Sequence, residues 1–331
     1  MNIEALDIVR VNLLSPIVLA FLVGIVATLI KSELEFPQPV LNAISIYLVF
    51  SIALQGGTEL AEVTLAEVWK PALAAMAAAV LLPGAAYLSA RRLLGLDIAN
   101  AAGMAALFGS VSSVTFLASL GFAEKMGAPA EPYMPALVSI MEWGILVALL
   151  IARLAVKRTG QGGSVHGLGV IALETLRGRS VVLILGGLFI GLIIGPEGFK
   201  PIQPVFKDAF RGVLVLFILE MGMVAARQLK DFIHLGPRLL LFGTLQPLVH
   251  GCAGVLVGHG VGLTPGGAFV FGAVCGSASY IDAPAAVRAA LPQANPGIYL
   301  TTSLGITFPF NLLLGLPLYY QFSMWLAEKM G

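Results

Sequence analysis

Along this chain of 331 residues, long apolar stretches alternate with short polar or Gly/Pro-containing turns. About 20 mostly apolar residues make a helix long enough to cross a bilayer. On that measure ten spans are predicted, roughly at 11–30, 38–57, 70–90, 99–122, 133–156, 179–195, 204–224, 235–258, 266–290 and 298–326. No alternating strand pattern competes with them, so the expected fold is an all-α polytopic membrane protein.

Two spans carry an internal interruption. The fourth contains Phe108-Gly-Ser-Val-Ser-Ser-Val-Thr115 and the ninth Phe271-Gly-Ala-Val-Cys-Gly-Ser-Ala-Ser-Tyr280, each opening on Phe-Gly and running into small hydroxyl residues. Gly costs about 1 kcal/mol against Ala in a helix, and Ser offers the backbone competing hydrogen bonds. Broken backbone at membrane depth persists only against protein or a water-filled cavity, which makes a pair of breaks a pointer to a transporter's binding site.

The two halves also resemble each other. Gln38-Pro39-Val40 returns as Gln203-Pro204-Val205, and Leu54-Gln55-Gly56-Gly57 faces Leu219-Glu220-Met221-Gly222, both at an offset of 165; the Phe108 and Phe271 motifs match at 163. The chain is therefore read as a first five-helix repeat (1–157), a Gly/Ser-rich and basic linker (158–178) and a second five-helix repeat (179–331). Because five is odd, the second repeat is expected to enter the membrane from the opposite side, giving inverted repeats whose discontinuous helices cross near the midplane.

Composition agrees: 58% of residues are hydrophobic and only 11% charged, with a mean hydropathy of +0.93, whereas globular domains are about 25% charged. A net charge of +1 and the lack of a basic stacking module speak against nucleic-acid binding. Cys252 and Cys275 lie in apolar segments and indicate neither a disulfide framework nor a transition-metal site. The first apolar run follows Met-Asn-Ile-Glu-Ala-Leu-Asp, without a cationic leader, and is read as a retained span. With both termini outside, twelve of the nineteen Lys and Arg residues fall at the inner loops, among them Arg91, Arg92, Lys157 and Arg288, so the linker is placed in the cytoplasm.

A helix interrupted at mid-membrane presents unpaired N–H groups and the positive end of a dipole, an anion site that needs no buried cation. Gly109, Ser110, Ser112 and Ser113 from the first break, with Ser277, Ser279 and Tyr280 from the second, are the candidate anion contacts. The alternative is that the small residues only permit close helix packing. Glu142 lies deep in the fifth span, where an ionisable group costs roughly 2.5–3.5 kcal/mol, and its counterpart at offset 165 is Thr307. Glu142, Thr115, Thr301, Thr302 and Thr307 can offer oxygen ligands to a small hard cation, Na+; a protonated Glu142 in a structural hydrogen bond is the other reading. Asp282 reads equally as a further cation ligand or as a polar residue at the cytoplasmic mouth. Glu220, equivalent to Gln55, is expected to have a lumen-edge role, and His250 to be a packing residue rather than a proton relay. His166, His234 and His259 read as loop or interface residues. No nucleotide-binding loop, HExxH or GxSxG is present, so neither ATP-driven transport nor intramembrane hydrolysis has sequence support, and neither an enzyme nor an organic cofactor is expected.

The residues Leu54-Gln-Gly-Gly57, Phe108-Gly-Ser-Val-Ser-Ser113, Ser277-Ala-Ser279 with Pro284 and Arg288, Pro292-Gln-Ala-Asn-Pro296 and Thr307-Phe-Pro309 resemble the sodium-dependent bicarbonate transporter family, the SbtA type of photosynthetic bacteria. The likeness implies a homotrimer in the bacterial inner membrane. It also implies a gate domain from spans 1, 2, 6 and 7, a core domain from spans 3–5 and 8–10, and Na+-coupled uptake of bicarbonate by alternating access. Carried over, the anion site falls on Ser110, Ser112, Ser113, Ser277 and Ser279, and Glu142 matches an acidic position. Tyr280 stands where an acidic residue looks usual in the bicarbonate carriers, and the linker is shorter than theirs. Those departures bear on which small anion is carried, a carboxylate being the alternative, and on whether a small PII-like cytoplasmic regulator binds. A passive anion channel is the remaining reading, and its uptake would persist without a Na+ gradient.

Overall fold

The structure, a computed structural model, describes residues 10, 12–159, 177, 179–232, 236–280 and 282–330. The linker expected at 158–178 falls almost wholly outside them, as do His166, His234 and the side chain of Asp282. Among the described residues the fold is helical, without strands. The helices are α1 (Pro16–Leu29), α2 (Gln38–Leu60), α3 (Leu65–Arg92), α4 (Ile98–Phe108), α5 (Ser113–Lys125), α6 (Met134–Met141) and α7 (Gly144–Thr159). They continue as α8 (Arg179–Phe199), α9 (Phe210–Phe232), α10 (Pro237–Gly260), α11 (Pro265–Cys275), α12 (Asp282–Ala290) and a long last helix, α13 (Pro296–Met330).

Eight described segments are long and apolar enough to cross a membrane, counting α4 with α5 and α6 with α7 as one segment each. Two of the ten expected spans fall short of that measure. The first is limited to 14 residues, about 21 Å at 1.5 Å per residue, by a Ser15 cap with Pro16 at its start and by Lys31, at φ +55°, just beyond its end. The ninth is interrupted after Cys275, leaving 11 residues in α11.

The breaks correspond in a different register from the one the Phe-Gly motifs predict. Helices α4 and α11 are both 11 residues long, and their bounds are offset by 167, not 163. Both start under a side-chain cap, Asp97 accepting from Asn100 N–H and Thr264 from Gly267 N–H. Gly109 is thereby equivalent to Gly276. Gly272 lies inside α11, where a β-carbon would come within 2.3 Å of Val255 and 2.7 Å of the Gly251 carbonyl oxygen, so it is a packing glycine.

Glycines also set which helices touch. A β-carbon on Gly24 would lie 2.0 Å from the Leu219 carbonyl oxygen and one on Gly222 2.1 Å from that of Phe21, so α1 and α9 meet backbone to backbone. In the same way Gly191 abuts the Leu54 carbonyl and Gly57 that of Leu188, each at 2.3 Å, which joins α8 to α2. The first helix of each half thus packs on the second helix of the other, through residues matched at offsets of 165 and 167. In lipid, where apolar transfer contributes little between helices, such close backbone approach is a main source of association.

Helix α4 packs against α12, and α5 against α11. The two broken helices therefore run antiparallel and cross at their breaks. On one side of the crossing lies an alanine-rich core including Ala86, Ala101, Ala105, Ala148 and Ala283 around Phe108 and Tyr299. On the other lies a larger core of bulkier residues, including Phe122, Phe269, Tyr320, Phe21 and Phe308. Helix α13 contains π-helical stretches at Thr301–Thr307 and Asn311–Gly315, a distortion that concentrates at functional sites.

Candidate functional site

The chain leaves helical geometry after Phe108 because it must pass between two other helices. A β-carbon on Gly109 would be 2.3 Å from Cβ of Pro83, and one on Gly144 1.8 Å from the Gly109 carbonyl oxygen. Only glycines fit that sandwich. Pro83 sits within α3 and Gly144 opens α7, directly after the turn that holds Glu142.

Glu142 is 1% exposed, and its carboxylate oxygen Oε2 accepts a 2.7 Å hydrogen bond from the Ser110 hydroxyl. The sequence-predicted cation residue and one of the anion residues are therefore in direct contact, at the first break. Two hydrogen bonds then stitch the breaks together. Ser112 N–H donates to Ser277 Oγ at 2.8 Å, and Ser279 N–H donates to the Leu107 carbonyl at 2.8 Å. Ser277 in turn donates its proton to the Val274 carbonyl.

The serines at the start of the second half-helices act as caps. Ser112 Oγ accepts from Thr115 N–H, and Ser279 Oγ accepts from Ala283 N–H. Ser110, Ser112, Ser277 and Ser279 are all 3% exposed or less, and each hydroxyl is already engaged within the protein. Thr115 is buried beside the first cap. Ser113 is half-buried and borders a small void with Ile52, Phe116, Pro135, Val138 and Ile184.

That void shares Ile52 and Pro135 with a vestibule of about 1030 Å³ at the end of the bundle where α1 starts and α5 finishes. The vestibule is lined by Gly121, Leu312 and Leu316 and by the charged residues Glu59, Lys207 and Asp208. Also on its wall, Arg211 at the start of α9 forms an ion pair with Glu124 near the end of α5.

The second break is held by residues that the sequence reading did not single out. Asn311 Nδ2 donates to the Gly276 carbonyl at 2.7 Å, and the Tyr319 hydroxyl lies 3.1 Å from Asn311 Oδ1 and 2.9 Å from the Pro247 carbonyl. At the offset of 167, Asn311 corresponds to Gly144: one carbonyl is met by a bare backbone, the other by an amide. A polar residue inside an apolar helix was the available signal.

The threonines proposed as cation ligands are buried in the first π-helical stretch of α13. The hydroxyls of Thr302 and Thr307 donate to the carbonyls of Ile298 and Gly243, respectively, which ties them to α13 and α10. Glu220 is 3% exposed, 4.0 Å from Arg227, while its counterpart Gln55 donates to the Phe206 carbonyl at 2.6 Å. His250 is buried with Nε2 2.6 Å from the Gln246 amide, and His259 Nε2 is 2.8 Å from Ser323 Oγ.

Together the site offers two antiparallel half-helix starts, a buried carboxylate and a polar-rimmed vestibule on one side. No curated protein matches the chain. A family model described as the Na+-dependent bicarbonate transporter superfamily matches residues 16–324. With a match over nearly its whole length, and with apolar helices built around paired breaks, the chain belongs to the Na+-dependent bicarbonate transporter superfamily.

Proposed function

We propose that the protein is a secondary active transporter that couples inward movement of bicarbonate to Na+ by alternating access. The observation that carries this reading is the crossing itself: two antiparallel breaks bound to each other through Ser112, Ser277, Ser279 and Leu107, with the buried Glu142 carboxylate at its edge. Half-helix N-termini favour an anion, the carboxylate favours a cation, and placing the two ligands side by side lets each offset the other's desolvation.

The matched helix contacts support ten spans in two inverted repeats, with α1 and the broken α11–α12 pair completing the set of eight long segments. In this reading α1, α2, α8 and α9 form the gate domain and the remaining helices the core domain, assembled as a homotrimer with both termini outside the inner membrane. The vestibule is then the outward entrance, and Glu124–Arg211 joins core to gate across it. Ser110, Ser112, Ser113, Ser277 and Ser279, with Gly109, surround the anion; Glu142, helped by Thr115 and the α13 threonines, serves Na+.

The test is uptake of radiolabelled bicarbonate into proteoliposomes, with and without a Na+ gradient and against a panel of small anions. Bicarbonate accumulation that requires the gradient is expected. Gradient-dependent uptake of a carboxylate alone would reassign the substrate, and uptake indifferent to Na+ would make the protein a channel.

A further inference from the structure

Hydroxyl groups at the crossing divide into those the protein uses and those it leaves over. The four capping and bracing serines are engaged, as described above. Tyr280, which follows the capping Ser279, is different: it is 9% exposed and its hydroxyl oxygen is buried without a hydrogen-bond partner among the described residues. The Ser112 side chain lies beside that oxygen, but the two do not meet in hydrogen-bond geometry.

An unsatisfied buried hydroxyl costs about 1–3 kcal/mol and calls for an explanation. Packing does not require it, because the ring alone makes the contacts. Tyr280 meets Phe308 edge-on at 5.5 Å, and Phe308 meets Phe21 of α1 at 5.5 Å, an aromatic row in which a phenylalanine would serve equally well. At the offset of 167 the counterpart of Tyr280 is Ser113, which follows the other capping serine and borders the small void. The position just past the cap therefore carries a hydroxyl on both breaks, beside a half-helix start that attracts negative charge.

Resting on the anion-transport reading above, we infer that Tyr280 is a specificity-determining ligand contact whose hydroxyl donates to an oxygen of the small anion held at the crossing. Ser112 keeps a hydroxyl proton after accepting from Thr115 N–H, so a small shift on binding gives a chain from Ser112 through Tyr280 to the ligand. Each donor in such a chain is polarised by the one behind it. The ligand must present an unprotonated oxygen there, a demand that small oxyanions meet. Halides lack the planar spread of oxygens to reach both breaks. Ser113 supplies the equivalent contact from the side of the void.

The experiment compares wild type, Tyr280→Phe and a protein with ring-fluorinated tyrosine at position 280 in Na+-driven proteoliposome uptake of bicarbonate. Formate, nitrate and chloride serve as competitors. Removing the donor should raise the half-saturation concentration about ten-fold or more, with maximal rate close to wild type and thermal stability raised, since the unpartnered hydroxyl is gone. Competition by formate and nitrate should weaken in parallel, while any effect of chloride stays unchanged. The fluorinated phenol, a stronger donor of the same shape, should lower half-saturation, a response a packing role would not produce. Unchanged half-saturation in Tyr280→Phe overturns the inference while leaving transport intact. Should that variant fail to assemble, the fluorinated protein decides, and an unaltered value there overturns it. A wild-type protein inert to the whole panel overturns the reading of the site, and the role of Tyr280 with it.

Discussion

Replacing Glu142 by Gln separates the two meanings of a buried carboxylate. The Gln side chain oxygen can still accept the Ser110 hydroxyl, so the 2.7 Å contact survives. A hydrogen bond to a charged group contributes about 1.5–3 kcal/mol and a neutral one about 0.5–1.5, so stability should fall by only about 1 kcal/mol. The effect on a bound cation is larger. At an effective dielectric of about 20, a unit charge about 4 Å from the carboxylate gains about 4 kcal/mol. Even about a third of that loss, some 1.4 kcal/mol, is a ten-fold change in Na+ affinity. The assay is bicarbonate binding in detergent across a Na+ titration. Wild type should bind more tightly as Na+ rises, whereas Glu142→Gln should need at least ten-fold more Na+ for the same gain, because coupling between the ligands is reciprocal. If Glu142 is instead a protonated structural residue, the Gln variant imitates it and the Na+ response stays as in wild type, an outcome that removes Glu142 from the cation site.

Three further outcomes follow from the packing. Ser277→Ala leaves the Ser112 N–H without its partner inside the crossing and should cost about 1–3 kcal/mol, read as a lower midpoint in reversible SDS unfolding, and should impair transport beyond its effect on stability. Gly191→Leu forces a side chain into the Leu54 carbonyl at the α8–α2 contact and should abolish assembly on size-exclusion chromatography, whereas Gly186→Leu, where a β-carbon meets nothing within 4 Å, should leave it intact. Asp97 caps α4 from outside the membrane; burial raises its pKa, but hydrogen bonds from Asn100 outweigh that and hold the carboxyl below its ordinary range. A depressed value stabilises the fold above about pH 4 and is lost as pH falls through the folded value, so Asp97→Ala should cost about 1 kcal/mol at neutral pH, with the gap in thermal midpoint closing in acid.

The hydropathy pattern carried most of the fold, because a segment facing lipid must be apolar along its length and so announces itself. The two breaks were equally legible, since Gly and Ser weaken a helix wherever they gather. Their register was not: Phe-Gly occurs at 108–109 and 271–272, but a glycine inside a tightly packed helix and a glycine at its end look alike in sequence, and only the Val255 and Gly251 contacts separate them. Glu142 stood out in the sequence because an intramembrane acid has few reasons to exist, but its place at the crossing rests on the Ser110 contact. Asn311 and Tyr319 escaped because their partners, the carbonyls of Gly276 and Pro247, are backbone groups that every residue carries. The division of the serines into caps and braces also lay beyond the sequence, since it depends on which neighbour each hydroxyl meets.

The exchange of partners between halves, α1 with α9 and α8 with α2, has a bearing on biogenesis. Thr28 of α1 donates to the Met223 carbonyl, 195 residues further on. While the ribosome is still completing the first half, α1 lacks its mate and α2 has only its contact with α6, so both must wait in lipid or with an insertion factor until α8 and α9 emerge. α3 and α4, by contrast, can join at once. Maturation should therefore run in two stages, and fragments severed at the linker should be unstable alone yet recover when produced together. The same interlock protects the finished protein, because neither half can be pulled from the membrane without opening both pairs.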